Sequence, residues 1–241
     1  MLALPFENLV EATWVERRKR FMLDVRLDDG EALTAHCPNT GAMTGLIRPG
    51  AKVLLSKSDN PKRKYAYTLE AVEADGTFVG VNTQNPNRIV AALARARVAP
   101  FPPSGEIRPE VRYGKNERID LLISEEDKPP LYVEVKNVHL VEAPGEASFP
   151  DCVTARGAKH LDALAEEVRQ GNRALMVFLI QRGDVDRFRL AREIDPAYAE
   201  AFDKAAAAGV EMAAIRCNVS RKGIEAAGMV PILEPGLRAA A

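Results

Sequence analysis

Over the first eighty residues apolar and polar positions alternate in short runs. Phe21, Leu23, Val25 and Leu27 alternate with Met22, Asp24 and Arg26, the period of a strand buried on one face. Comparable runs at 9–16, 32–36, 52–56, 67–72 and 78–81 are rich in Val, Leu, Phe and Thr. Asp28-Asp29-Gly30, Arg48-Pro49-Gly50 and Ala74-Asp75-Gly76 punctuate them with residues that tolerate turn conformations. Short strands separated by turns roughly every ten residues predict a small barrel or sandwich. Trp14, the lone tryptophan, is expected to pack inside it.

The period changes after Thr83. Asn85 reads as an N-cap and Pro86 as a first helical residue, with Ile89, Val90 and Leu93 at helical spacing to about Arg97. Strand-like segments follow at 106–113, 118–124 and 131–138. A helix is predicted over 154–169, with Leu161, Leu164, Ala165 and Val168 on one stripe and Gly171 as its stop. The nearly unbroken apolar run 173–181 fits a strand covered on both faces. Asp195-Pro196 opens a further helix ended by Gly209, and 210–217 reads as a strand. The order helix, three strands, helix, strand is that of a mixed α/β domain, so the chain divides at 84/85.

Composition narrows the function classes. The 241 residues are 46% hydrophobic and 28% charged, which excludes a disordered chain. The net charge of −1 hides an asymmetry: residues 1–99 carry 14 basic and 11 acidic side chains, residues 100–241 carry 19 and 23. Any polyanion must therefore be met by local clusters. Cys37, Cys152 and Cys217 form no CxxC pair, which argues against a zinc knuckle and fits reduced thiols in the cytoplasm. The start of the chain lacks a signal-peptide pattern and no apolar run is long enough to span a bilayer, so no membrane partner is expected.

Three charged residues interrupt segments that should be apolar. Asp120 precedes Leu121-Leu122-Ile123, and Glu134 and Lys136 lie within Tyr132-Val133-Glu134-Val135-Lys136. Glu134 and Lys136, two apart on a strand, share a face. A hairpin through 125–130 would bring Asp120 to them. Two carboxylates offer hard oxygen ligands for Mg2+, and a lysine beside them can orient a water or stabilise charge developing on a phosphate. Glu-x-Lys alone is common on solvated strands. Asp120 at hairpin distance is what turns the pattern toward phosphodiester hydrolysis.

Asp120 followed by Glu134-Val135-Lys136 resembles the PD-(D/E)xK nuclease motif, with Ile119 where that motif has proline. A narrower resemblance covers nearly the whole chain. His36-Cys37-Pro38-Asn39-Thr40-Gly41-Ala42-Met43-Thr44-Gly45 is similar to the signature of the sugar fermentation stimulation protein A family. Lys19-Arg20-Phe21, Ser58-Asp59-Asn60 with Lys62-Arg63-Lys64-Tyr65, and Phe149-Pro150-Asp151 leading to Arg156-Gly157 and Lys159-His160 carry it further. The resemblance implies an α+β protein. An N-terminal OB-like β-barrel (1–84) would precede a restriction-endonuclease-like mixed α/β domain (85–241). It also implies non-specific DNA binding linked to the regulation of sugar metabolism.

Candidate DNA contacts are the basic runs Arg17-Arg18-Lys19-Arg20 and Lys62-Arg63-Lys64, with Tyr65 available for stacking. Strand alternation lets about half of the first run face one side. Arg156 and Lys159, at the start of a helix, are further candidates, against the plainer reading of a solvated face. The His36 to Gly41 segment reads as a tight hydrogen-bonded loop whose backbone N–H groups could also hold a phosphate, and His139 with Glu142 as a surface turn rather than as groups supporting the active strand. Asn82 and Asn87 read as caps or turn residues. The resulting expectation is Mg2+ held by Asp120 and Glu134, with Lys136 supporting attack by water. The alternatives are a non-catalytic DNA-binding regulator on the same scaffold and an RNA-binding or RNA-processing module.

Overall fold

The computed structural model describes residues 2–113, 117–235 and 237. Its first strand, β1 (Leu2–Pro5), leaves the N-terminal barrel and pairs with the last strand of the chain. The barrel itself is built from β2 (Leu9–Arg18), β3 (Met22–Leu27), β4 (Ala32–His36), β5 (Lys52–Lys57), β6 (Tyr67–Ala74) and β7 (Thr77–Gly80). Their order is β4-β3-β2-β5-β6-β7, and a bridge between His36 and Thr68 closes β4 onto β6. Alternation drives this closure: Trp14, Leu23, Val25, Val53, Leu55, Leu69 and Val72 all turn inward. Phe21 is an exception to the expected period. It lies in the turn before β3 and is 39% exposed, because Lys19 and Arg20 both take positive φ and reverse the chain there.

The second half contributes α1 (Asn85–Arg95), β8 (Glu106–Tyr113), β9 (Glu117–Ser124), β10 (Leu131–Val138), β11 (Leu140–Ala143), β12 (Gly145–Phe149) and α2 (Ala155–Arg169). It continues with β13 (Arg173–Ile180), β14 (Val185–Leu190), α3 (Pro196–Ala208), β15 (Glu211–Ser220) and β16 (Gly223–Val230). A seven-stranded sheet runs β1-β16-β15-β13-β10-β9-β8, with β10, β13 and β15 parallel. Helix α1 covers one face, and α2 and α3 cover the other. That is why β13 is almost wholly apolar. A small sheet, β11-β12-β14, extends the second layer.

The barrel and the sheet share a core. Leu54 and Ala71 of the barrel pack with Ile89, Val90 and Val177 of the second half. Glu70, buried in β6, accepts from Asn82 Nδ2 at 3.0 Å and Asn85 Nδ2 at 2.8 Å. Asn85 is thereby drawn away from capping. Gln84 takes the N-cap position without a side-chain bond, and Asn85 is the first helical residue. Among the described residues no helix is long and apolar enough to cross a membrane.

Candidate functional site

The site forms where the β9–β10 ladder stops. Registered pairs end at Leu121↔Val133. One residue further, the Asp120 carboxylate replaces the missing rung: Oδ2 accepts from the Val135 N–H at 2.7 Å. Oδ1 accepts from Asn87 Nδ2 on α1, also at 2.7 Å. Burial, reinforced by the charge of Glu134, pushes the Asp120 pKa up to about 6 against these two donors and Lys136.

Glu134, 3% exposed, stands on the adjoining strand. Its Oε1 receives Lys136 Nζ at 2.8 Å and also meets His160 Nδ1. Burial alone would raise the Glu134 pKa, but His160 and Lys136 together outweigh it and hold the carboxyl below its usual range. Lys136 Nζ lies 3.1 Å from His160 Nδ1. Arg156 Nε donates to His160 Nε2 at 3.2 Å, which assigns the neutral imidazole's proton to Nδ1, facing Glu134. Helix α2 is aimed by its own start. Thr154 Oγ1 caps Gly157 N, and Asp195, the N-cap of α3, accepts from Thr154 N at 2.7 Å.

Two neighbours were hidden in the sequence. Asn87 reads as a turn or cap residue, yet it donates to Asp120. His160 reads as part of a basic helix start, yet it sits on Glu134. The usable signal was the spacing of Arg156 and His160, four apart and therefore on one helix face. His139, read as part of a surface turn, is instead buried, with Nε2 3.3 Å from Asp151, while Glu142 is exposed.

The basic runs are spread over several tasks. Arg17 is occupied locally: Nε donates to Arg20 O at 2.9 Å, and Nη2 donates to Asn39 O and Gly41 O. Arg18 pairs with Asp24. Lys19 and Arg20 are exposed in the turn, and the Arg20 charge reaches Cys152, which precedes α2. That turn therefore faces the second half of the molecule. Lys62, Arg63 and Lys64 are exposed between β5 and β6. Arg63 donates to Thr68 Oγ1, and Lys64 Nζ lies 5.4 Å from the Tyr65 ring centroid. Arg156 is engaged with His160, and Lys159 is exposed. The loop after β4 is a structural turn. Asn39 Oδ1 accepts from Gly41 N at 2.8 Å, and burial raises the Cys37 thiol pKa.

Asp120 and Glu134 offer hard oxygen donors of the kind a divalent cation takes. Burial, and after it the charge of Glu134, raises the Asp120 pKa, and a nearby cation would offset both. Among the described residues no group of three or more His, Cys, Asp and Glu is arranged to hold a metal ion, and His160 is turned to Glu134 as a hydrogen-bond partner. Mg2+ is commonly held by one or two carboxylates, with water and substrate phosphate completing its shell.

Comparison with known proteins agrees with this architecture. The family model for the SfsA N-terminal OB domain matches residues 15–81, and that for the sugar fermentation stimulation protein RE domain matches residues 84–223. A sugar fermentation stimulation protein homolog of Rhizobium meliloti (strain 1021) is 53% identical over 228 residues, covering 94% of this chain and 95% of that protein. A Brucella ovis homolog is 51% identical over 225 residues, covering 93% and 94%. The solved structure of Pyrococcus furiosus SfsA in complex with Ca2+ superposes with a TM-score of 0.88 at 26% identity, covering 97% of this chain and 100% of that one. The chain belongs to the sugar fermentation stimulation protein family.

Proposed function

We propose that this protein binds DNA and hydrolyses phosphodiester bonds at the Asp120–Glu134–Lys136 site with the help of Mg2+. The observation that carries the reading is the position of Asp120. It lies where β9 and β10 part, within electrostatic reach of Glu134, with Lys136 on the same Glu134 oxygen. The Ca2+ complex of the Pyrococcus furiosus relative supports a divalent ion. Asp120 and Glu134 would hold the metal, which when bound polarises a phosphoryl oxygen and acidifies a water. Asn87 and the Val135 N–H orient Asp120. Lys136 donates toward the attacking water or the charge building on the phosphate, and His160 fixes the Glu134 carboxylate. The basic turn of Lys19 and Arg20 and the Lys62 to Tyr65 loop would neutralise DNA phosphates, so affinity falls as salt rises. Lys159, exposed on α2, would contribute a further phosphate contact.

A plasmid-nicking assay with Mg2+ tests this. Asp120→Asn should abolish cleavage and Lys136→Ala should slow it by about a hundredfold or more, with DNA binding retained in both. A second reading has its own support, because Glu134 Oε1 is already occupied by Lys136 and His160. It holds that the scaffold binds DNA as a regulator without cutting it. DNA binding with no cleavage under Mg2+, Mn2+ or Ca2+ would select that reading.

A further inference from the structure

The β8–β9 hairpin runs past the sheet that carries it. Its ladder with β10 ends at Leu121↔Val133, yet β8 and β9 stay paired through Val111↔Ile119 and Arg112↔Arg118. The two faces of this outer stretch differ. Ile119 is buried, and Val111 and Tyr113 pack against the same core. Arg112 and Arg118 are exposed and stand directly opposite each other in register. Cross-strand partners hold their Cβ atoms about 4.5–5.5 Å apart, and like charges placed so repel.

Several arginines elsewhere are engaged, Arg173 with Glu125, Arg182 with Asp184, and Arg192 with Asp203 and Glu234, whereas Arg88 and Arg95 on α1 stand in solvent like Arg112 and Arg118 but have no basic partner in register. Among the described residues neither Arg112 nor Arg118 has an ion-paired or hydrogen-bonded acceptor. Two exposed guanidinium groups at registered positions on a paired ribbon, neither with an acceptor of its own, offer a place for an anion, with the Glu110 carboxylate engaged by Asn87. The planar guanidinium fork matches the oxygens of a phosphate. Arg118 precedes Asp120 by two residues on β9, about 7 Å along the strand.

We propose that Arg112 and Arg118 form a clamp for the phosphodiester backbone of DNA and lead the strand to the Asp120–Glu134 pair. The clamp rests on the DNA-binding reading above but not on cleavage. Its cost is the repulsion between the two arginines in the free protein, which a bound phosphate removes.

The test is binding of a short fluorescent duplex in EDTA across a salt series. Wild type is compared with Arg112→Gln/Arg118→Gln and with a control, Arg169→Gln/Lys204→Gln. The control removes the same charge at the opposite end of the sheet. The clamp variant should bind roughly tenfold or more weakly at 0.1 M salt, and its slope of log affinity on log salt should be shallower by about 2. The control should bind like wild type. The melting temperature of the clamp variant should be unchanged or higher by about 1–2 °C, because a repulsion is gone. Wild-type affinity and slope in the clamp variant, an equal loss in the control, or a lowered melting temperature would overturn the clamp. Absence of duplex binding by wild type would overturn the DNA-binding reading itself, and the clamp with it.

Discussion

Asp120 performs a backbone role with a side chain. Its carboxylate takes the Val135 N–H where the next ladder rung would fall, which opens the sheet and places a charge in a half-buried gap. The folded pKa of about 6 lies above the unfolded value of about 3.9. Below pH 4 both states hold the proton and the residue carries no penalty. Between about pH 4 and 6 the unfolded chain releases it first, so stability falls as pH rises through that window and stays at the lower level above it. In EDTA at pH 8, Asp120→Asn should therefore stabilise the protein by about 1–2 kcal/mol, and the gain should vanish near pH 4. Urea melts at the two pH values measure this, and equal stability of both proteins at pH 8 would refute it. Asp120, Glu134 and Lys136 were legible because charges interrupt apolar strands. Asn87 and His160 were not, because a polar residue at a helix start satisfies cap and solvation rules equally well. Only tertiary packing reveals what it touches.

Secondary structure followed local signals where those signals were strong. β13, buried on both faces, is apolar throughout, and α3 begins at Asp195-Pro196 and ends at Gly209 with φ of 102°. β1, β11, β12, β14 and β16 went unread. β16 carries two glycines and two alanines, poor strand formers that pairing with β15 on one side and β1 on the other holds extended. β1 is four residues long and ends in proline. It docks because Gly223, at φ of 136°, leaves room: a Cβ there would collide with the Leu4 carbonyl oxygen. Gly223→Ala should cost about 2 kcal/mol or more through the positive φ and the lost docking of β1. Hydrogen exchange at Leu4 should accelerate together with the fall in stability. Protection of Leu4 at the wild-type level would show that β1 is held by other contacts.

The whole molecule behaves as one unit in its contacts. Arg182, with a side chain 3% exposed, donates to His139 O at 2.9 Å and bridges Asp184 to Asp75 of the barrel. Arg221 reaches back to Glu11, and Gly80 N donates to Gln181 O at 2.8 Å. Arg182→Ala removes the donor to the His139 carbonyl and leaves two partly solvated carboxylates, a loss of about 1–3 kcal/mol. It should thus lower the melting temperature by roughly 2–12 °C. Because Leu54 and Ala71 belong to the second core, calorimetry should show one transition in wild type and variant alike. Two resolved transitions in wild type would refute the shared core as a cooperative unit.

The pairing of β1 with β16 also sets an order of events during synthesis. β1 leaves the ribosome before its partner, which follows roughly 220 residues later, about ten to forty-five seconds at ordinary elongation rates. Throughout that interval the edge strand is an unpaired tail, so the seven-stranded sheet is completed only once β16 has emerged. A nascent chain stalled before Gly223 should still offer Leu2–Pro5 to a protease, whereas the finished protein should not.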